Sequence, residues 1–210
     1  MEILIVGDEG QKEEFLSGVN DISHLIFEAD LPSENDYKKY EAYFILLKIN
    51  STVNFDLFEN KPVFINEVIN TSSSLNYPKN IVRINGWPGF IQRKTWEVFS
   101  KDIIDSEAIA TKIDRKIIGV KDEPGLVAAR VISMIINEAF FAIEEKISSR
   151  GEIDMAMKLG TNYPFGPFEW AEKIGISNIY TLLEALSKND PRYFPSNELK
   201  KEFLEKKISK

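Results

Sequence analysis

The chain has 210 residues, 43% apolar and 28% charged, with 9 Pro and 11 Gly, a composition that suits a folded globular protein and excludes collagen-like repeats and extended disorder. Its 26 basic and 33 acidic residues leave a formal charge of −7, so the field of the molecule repels phosphate backbones and anionic lipid, and neither nucleic acid nor a membrane is expected as a partner. With no Cys and a single His, disulfides, thiolate nucleophiles, Cys-ligated metals and His-rich metal sites are excluded.

The opening MEILIVGDEG enters a strand pattern at Ile3 without a basic stretch. No run approaches the roughly 18 apolar residues of a membrane span, so a cytoplasmic protein is expected. Short apolar runs follow at residues 3–6, 24–27, 43–47, 62–65, 81–84 and 117–120. Runs this short and continuous suit strands covered on both faces of a parallel sheet, with residues 3–6 as a central strand. Helical patterns between them are sparse, at 11–17 and 103–113. Residues 1–120 therefore read as a reduced α/β lobe, Rossmann-like and mostly parallel.

Beyond residue 120 the texture changes. Asp122-Glu123-Pro124 places Asp and Pro where a helix N-cap and first turn favour them. The stretch to Ser148 then carries apolar residues in nearly every direction around a helix axis. A helix over 124–148 is expected to be the most buried element and to line a two-fold interface. Further helices are expected at 152–159, 167–173, 178–187 and 197–207, each preceded by turn or cap residues. Residues 121–210 thus read as an all-helical domain. The basic tail, 200–210, alternates with Glu and Leu at helical spacing and reads as a solvated face.

The segments DEPGLVAAR (122–130) and GEIDMAMKLGTNYPFGPFEWAEKIG (151–175) closely resemble the C-terminal domain of the 3-hydroxyacyl-CoA dehydrogenases. That family's pattern is Asp-x-Pro-Gly-Phe-x-x-Asn-Arg, then Ile-Asp-x-Ala-Met-x-x-Gly-x-x-x-Pro-x-Gly-Pro-Phe-Glu. The second half stands here as Ile153, Asp154, Ala156, Met157, Gly160, Pro164, Gly166, Pro167, Phe168 and Glu169. The resemblance implies an N-terminal lobe with an NAD site, a helical lobe that makes a homodimer and closes over an acyl-CoA, and hydride transfer in fatty-acid metabolism. It also implies a shorter first lobe than the family's, the loss falling on a CoA-binding helical arm where residues 30–41 are short and polar.

The chemistry-bearing positions depart from the family's. Its Gly-x-Gly-x-x-Gly fingerprint lets a pyrophosphate approach backbone N–H groups at a helix N-terminus. Here Gly7 stands in the first slot, Glu9 in the second and Lys12 in the third, with Gly10 between the last two as a further candidate for cofactor contact, and Glu9 is expected to set a carboxylate in the phosphate's path. Glu28 or Asp30 takes the place of the ribose-binding acid. The family's general base is a His oriented by a Glu about twelve residues later. Counting back from Glu97 puts Asn85 in the His slot, and aligning on Pro88 puts Ile84 there; neither accepts a proton. His24, on the second predicted strand, reads as structural. Ala129 replaces an active-site Asn, and the family's Asn-Thr-Ser-Ser matches either Asn70 to Ser73, with Ser72 within it, or Asn66 at a strand end. The chain is therefore expected to be a diverged, weakly active or inactive relative that acts as an acyl-CoA-related binding or partner subunit, with NAD binding weak or absent. The alternative is an active 3-hydroxybutyryl-CoA dehydrogenase with atypical site residues.

Overall fold

The structure, a computed structural model, describes residues 2–32, 34–48, 53–101 and 104–208. The chain divides into two compact units, Met1–Leu126 and Val127–Lys210.

The first unit is a seven-stranded sheet built from β1 (Glu2–Val6), β2 (Leu25–Glu28), β3 (Tyr40–Ile45), β4 (Val63–Asn66), β5 (Ile81–Ile84), β6 (Thr95–Ser100) and β7 (Lys116–Gly119). Their order is β2-β1-β3-β4-β5-β6-β7. Neighbours from β2 to β5 are parallel, β6 runs antiparallel to β5, and β7 is parallel to β6. The mostly parallel sheet follows from the apolar runs, since β1, β3, β4 and β5 are buried almost throughout. β1 is interior, but it lies second from the edge and β4 is the middle strand. β6 has no counterpart among the six runs, because its Trp96 and Val98 face inward while Thr95, Glu97 and Phe99 alternate with them and stay more exposed.

The two faces are covered differently. Ile3, Ile5, Phe44, Phe64, Ile84 and Val98 pack with Phe15 of α1 (Glu9–Leu16) and with Ile109 and Ile113 at α2 (Ile104–Lys112). Leu4, Val6, Tyr43, Ile45, Val63 and Ile65 pack instead against Tyr37 and Phe58, carried by two short 3₁₀ turns, Glu34–Lys39 and Phe55–Phe58. Phe58 meets Tyr43 edge to face, with ring centroids 4.7 Å apart, and burial beside neighbouring rings pushes the Tyr43 hydroxyl up to about 12. Aromatic bulk on turns thus does what helices do in a full doubly wound unit. Residue 103, the expected start of the second helix, lies outside the described residues.

One cation organises the end of this unit. Arg83, in the middle of β5, is fully buried, and its Nη1 donates to Asp122 Oδ1 at 2.5 Å. Its Nε donates to the Glu67 carbonyl and its Nη2 to those of Val68 and Glu123. Asp122 also accepts from the Ser72 and Ser73 backbone N–H groups and the Ser73 hydroxyl, at 2.8–2.9 Å. Burial pushes the Asp122 carboxyl up, but these hydrogen bonds outweigh it and hold the group below its ordinary value. Burial lowers the Arg83 pKa against the pull of Asp122. Asp122 is therefore not the helix N-cap that its sequence suggests, because a buried guanidinium needs the carboxylate more than a helix end does.

The second unit is all-helical: α3 (Ala128–Glu144), α4 (Arg150–Thr161), α5 (Pro167–Ile174), α6 (Ile176–Ser187) and α7 (Asn197–Ile208). α3 is shorter than 124–148, as Gly125 and Leu126 have φ of 81° and 48° and the chain turns before the helix begins. It is also not the most buried element, for α5 buries five of its eight residues and α3 seven of seventeen. The family-like motif has a structural explanation. Asp154 Oδ1 accepts from the Phe168 N–H at 2.8 Å, capping α5 from α4. A Cβ at position 166 would lie 2.3–2.4 Å from Asp154 atoms, so only Gly fits there. Glu169 accepts from the Gly166 N–H at 2.8 Å and pairs with Lys158. α7 presents Lys201 to Glu198 and Lys206 to Glu202 on its exposed surface, as the tail's charge pattern leads one to expect; Ser209 and Lys210 lie outside the described residues.

Candidate functional site

The strand order reverses at β1, whose neighbours β2 and β3 are reached in opposite directions. In open α/β sheets, ligands bind outside the carboxyl ends of the strands at such a point. The polar residues at that edge are Asp8 and Gln11 after β1, Asn66 at the end of β4, and Asn85 just past β5.

Asn85 and Glu97 come together. Pairing of Ile84 with Val98 across the antiparallel β5–β6 ladder carries Asn85 opposite Glu97, and Asn85 Nδ2 approaches Glu97 Oε1 at 3.4 Å. Asn85 Oδ1 accepts from the Trp87 N–H at 3.3 Å. The loop that follows buries Trp87, Phe90 and Ile91. Both carboxylate oxygens of Glu14, on α1, accept from the Gly89 N–H at 2.7 Å; Gly89 has φ of 88°, a conformation that favours glycine. The Arg93 guanidinium lies 4.1 Å from the Phe90 ring centroid. An amide beside a carboxylate can donate a hydrogen bond to a carbonyl oxygen. It cannot remove a proton from a hydroxyl near neutral pH, because the carboxamide has no basic site there.

His24 is elsewhere. It precedes β2, its carbonyl accepts from the Ile3 N–H, and it therefore sits at the amino end of β1 and β2, across the sheet from Asn85. Its Nδ1 is 3.9 Å from Asp21, and its Nε2 is buried without a hydrogen-bond partner.

Asn66 Nδ2 donates to the Leu46 carbonyl at 3.0 Å, and its Oδ1 accepts from the Gly86 N–H at 3.1 Å. Ser72, by contrast, is 1% exposed and its N–H is bound to Asp122, so it belongs to the Arg83 clamp. Glu28 ends β2, exposed, and its carbonyl accepts from the Gly7 N–H at 3.1 Å. Ala129 is buried in α3 of the second unit. Among the described residues no group of three or more His, Asp or Glu could hold a metal ion.

The glycine-poor loop does not fit a dinucleotide. Asp8 Oδ1 accepts from the Gln11 N–H at 2.8 Å while Gln11 Oε1 accepts from the Asp8 N–H at 3.0 Å, a closed capping box at the start of α1. Gln11 Nε2 then donates to the Leu46 carbonyl at 2.7 Å. Glu9, expected in the phosphate's path, instead has an 84% exposed side chain, 3.5 Å from Lys12, since the box turns the first helical residue outward. Gln11 is the residue that sequence reasoning missed. Its signal was the Asp-x-x-Gln spacing of a capping box.

Comparison with known proteins finds similarity to one family over the helical unit. The profile of the 3-hydroxyacyl-CoA dehydrogenase C-terminal domain matches residues 125–210. The 3-hydroxyadipyl-CoA dehydrogenase of Escherichia coli (strain K12) is 38% identical over 92 residues, 43% of this chain and 19% of that enzyme. A solved 3-hydroxybutyryl-CoA dehydrogenase from Escherichia coli K12 superposes with a TM-score of 0.60 at 27% identity, covering 70% of this chain and 32% of that one. The chain thus spans about a fifth to a third of these relatives' length. The structure of (S)-3-hydroxybutyryl-CoA dehydrogenase PaaH1 from Ralstonia eutropha matches over 95% of this chain and 92% of its own, with a TM-score of 0.69. At 21% identity that likeness speaks for the fold, a Rossmann-like sheet followed by a helical domain.

Proposed function

We propose, from the premise that residues 125–210 are a 3-hydroxyacyl-CoA dehydrogenase C-terminal domain, that the chain is a diverged member that holds an acyl-CoA-related ligand or serves as a partner subunit and does not transfer hydride. The observation that carries this reading is the Asn85–Glu97 pair. It stands where the resemblance calls for an imidazole oriented by a carboxylate, and replacing that base with an amide costs about 10²- to 10⁴-fold in proton transfer. Asn85 keeps one amide hydrogen beyond that given to Glu97. It suits the carbonyl of a 3-oxoacyl thioester better than the hydroxyl from which a proton must leave. The residues that match the family, Asp154, Gly166, Phe168 and Glu169, have structural roles in this chain, while the positions tied to chemistry differ. NAD would supply hydride chemistry if bound, and the closed capping box argues for weak binding or none.

The helical unit supports association with a second copy. Val131, Ile147, Met155 and Leu159 are more than half exposed, Leu159 to 82%, and no residue of α4 is buried. These side chains, on α3, α4 and the turn between them, are the apolar surface such an association would bury. A cytoplasmic setting suits the reading, as no helix among the described residues is long and apolar enough to cross a membrane.

Calorimetry of the full chain with acetoacetyl-CoA, combined with light scattering, tests the reading. A saturable heat and a dimer mass are expected. No heat from the thioester and a monomer at micromolar concentration would overturn it.

A further inference from the structure

We infer that Gln11 and Asn66 form an internal bridge that occupies the crevice where this topology would seat a dinucleotide diphosphate, so that the sheet unit is complete without a nucleotide. The inference stands on hydrogen-bond geometry in the first unit and does not depend on the acyl-CoA reading.

The Leu46 carbonyl, just past β3, accepts two side-chain amide donors, Gln11 Nε2 at 2.7 Å and Asn66 Nδ2 at 3.0 Å. The far ends of the same two amides are also used, Gln11 Oε1 by the Asp8 N–H and Asn66 Oδ1 by the Gly86 N–H. Hydrogen bonds thus run without a break from the first turn of α1, across the ends of β3 and β4, to the loop after β5. In a nucleotide-binding sheet, ligand oxygens accept from the backbone N–H groups at the start of the helix that follows the first strand. Here the chain satisfies them itself.

Space and charge agree. A Cβ at Gly7 would lie 3.0 Å from Gln11 Oε1 and 3.3 Å from Gln11 Cβ, so the Gln11 side chain fills the gap beside the glycine that a diphosphate would need. The Asp8 carboxylate caps the amino end of α1, taking the place of a phosphate as both hydrogen-bond acceptor and helix-dipole counter-charge. An incoming diphosphate would meet that negative charge. Position 86 has been fitted to the bridge as well, because a Cβ there would come within 2.6–2.8 Å of Asn66 side-chain atoms. Asn66 and Gly86 therefore work as a pair.

Thermal unfolding of the full chain, with and without NAD at about 1 mM, above ordinary cofactor affinities, tests the bridge. The wild-type midpoint is expected not to move. The double variant Asp8→Asn/Gln11→Ala keeps an N-cap side chain and removes both the charge and the plug; its midpoint is expected to start lower and to rise on adding NAD. A wild-type midpoint raised by NAD as far as the variant's would overturn the inference, and so would a double variant as unresponsive as wild type. If the double variant does not fold, exchange of the wild-type Gln11 side-chain amide protons replaces it as the readout. Slow exchange that NAD leaves unchanged supports the bridge, and loss of that protection on adding NAD overturns it. Since acyl-CoA is absent from every arm, failure here is separable from failure of the proposed function.

Discussion

Replacing Asp122 with Ala should do more damage to the first unit than any other single change at its surface. Arg83 is 0% exposed and the Asp122 side chain 13% exposed. Removing the carboxylate strands a buried guanidinium and leaves the Ser72 and Ser73 N–H groups without their acceptor. Breaking a buried pair from one side costs about 3–5 kcal/mol, a large part of the 5–15 kcal/mol that holds an ordinary domain together. The cost should not reach the sum of four hydrogen bonds, because Arg83 keeps the carbonyls of Glu67, Val68 and Glu123. Arg83→Met should cost less, about 1–3 kcal/mol, because Asp122 retains its three donors from Ser72 and Ser73 and some contact with water, and of the three carbonyls that lose Arg83 those of Val68 and Glu123 keep the Gly125 and Leu126 N–H groups. The double variant Arg83→Met/Asp122→Ala should recover part of the Asp122→Ala loss. Urea unfolding followed by the fluorescence of the buried Trp87 and Trp96 measures each. The pH dependence has a definite sign. The folded Asp122 pKa is depressed below 3.8, so its contribution is complete above the unfolded value and disappears as pH falls through the lower folded one. Acid should therefore destabilise wild type more steeply than Asp122→Asn. A loss below about 1 kcal/mol for Asp122→Ala, or a larger loss for Arg83→Met, would refute the reasoning.

Three smaller experiments address the helical unit. Gly166→Ala should destabilise it by about 1–3 kcal/mol through the clash with Asp154, whereas Gly160→Ala, with nothing within 4 Å, should stabilise α4 by about 0.5–1 kcal/mol; thermal unfolding compares the two. Ser149→Ala removes an N-cap whose oxygen accepts from the Glu152 N–H and should cost about 1 kcal/mol, read from helical circular dichroism. In the same capping box, hydrogen bonds from Ser149 hold the Glu152 carboxyl at about 2, so it should stay ionised down to about pH 2, as an NMR titration of its side chain would report.

β1, β3 and β4 are legible because each is buried almost throughout and so reads as a nearly continuous apolar run, and β2 and β5 keep enough of such a run beside Glu28 and Arg83 to be read as well. β6 is not, since Glu97 interrupts Trp96 and Val98. The Asn85–Glu97 pairing is anticipated through the resemblance alone, because the antiparallel β5–β6 ladder that brings the two side chains together has no signal in the apolar runs. The start of α3 is misread because Asp122 and Pro124 carry helix-start signals, yet Asp122 answers to Arg83, 39 residues away in sequence and adjacent only once the sheet forms. A charge in the run Ile81 to Ile84 is itself a signal that a buried partner must exist. The Gln11–Leu46–Asn66 bridge lies beyond sequence reading, because a backbone carbonyl at its centre leaves no trace in residue identity.

The central claim is that an amide where a base is needed leaves this chain without dehydrogenase turnover. Oxidation of NADH with acetoacetyl-CoA, followed at 340 nm with micromolar protein, tests it directly. The account predicts a rate indistinguishable from the uncatalysed background. A turnover above about 1 s⁻¹, the low end of ordinary enzymes, would contradict it and return Asn85 and Glu97 to the status of a working pair.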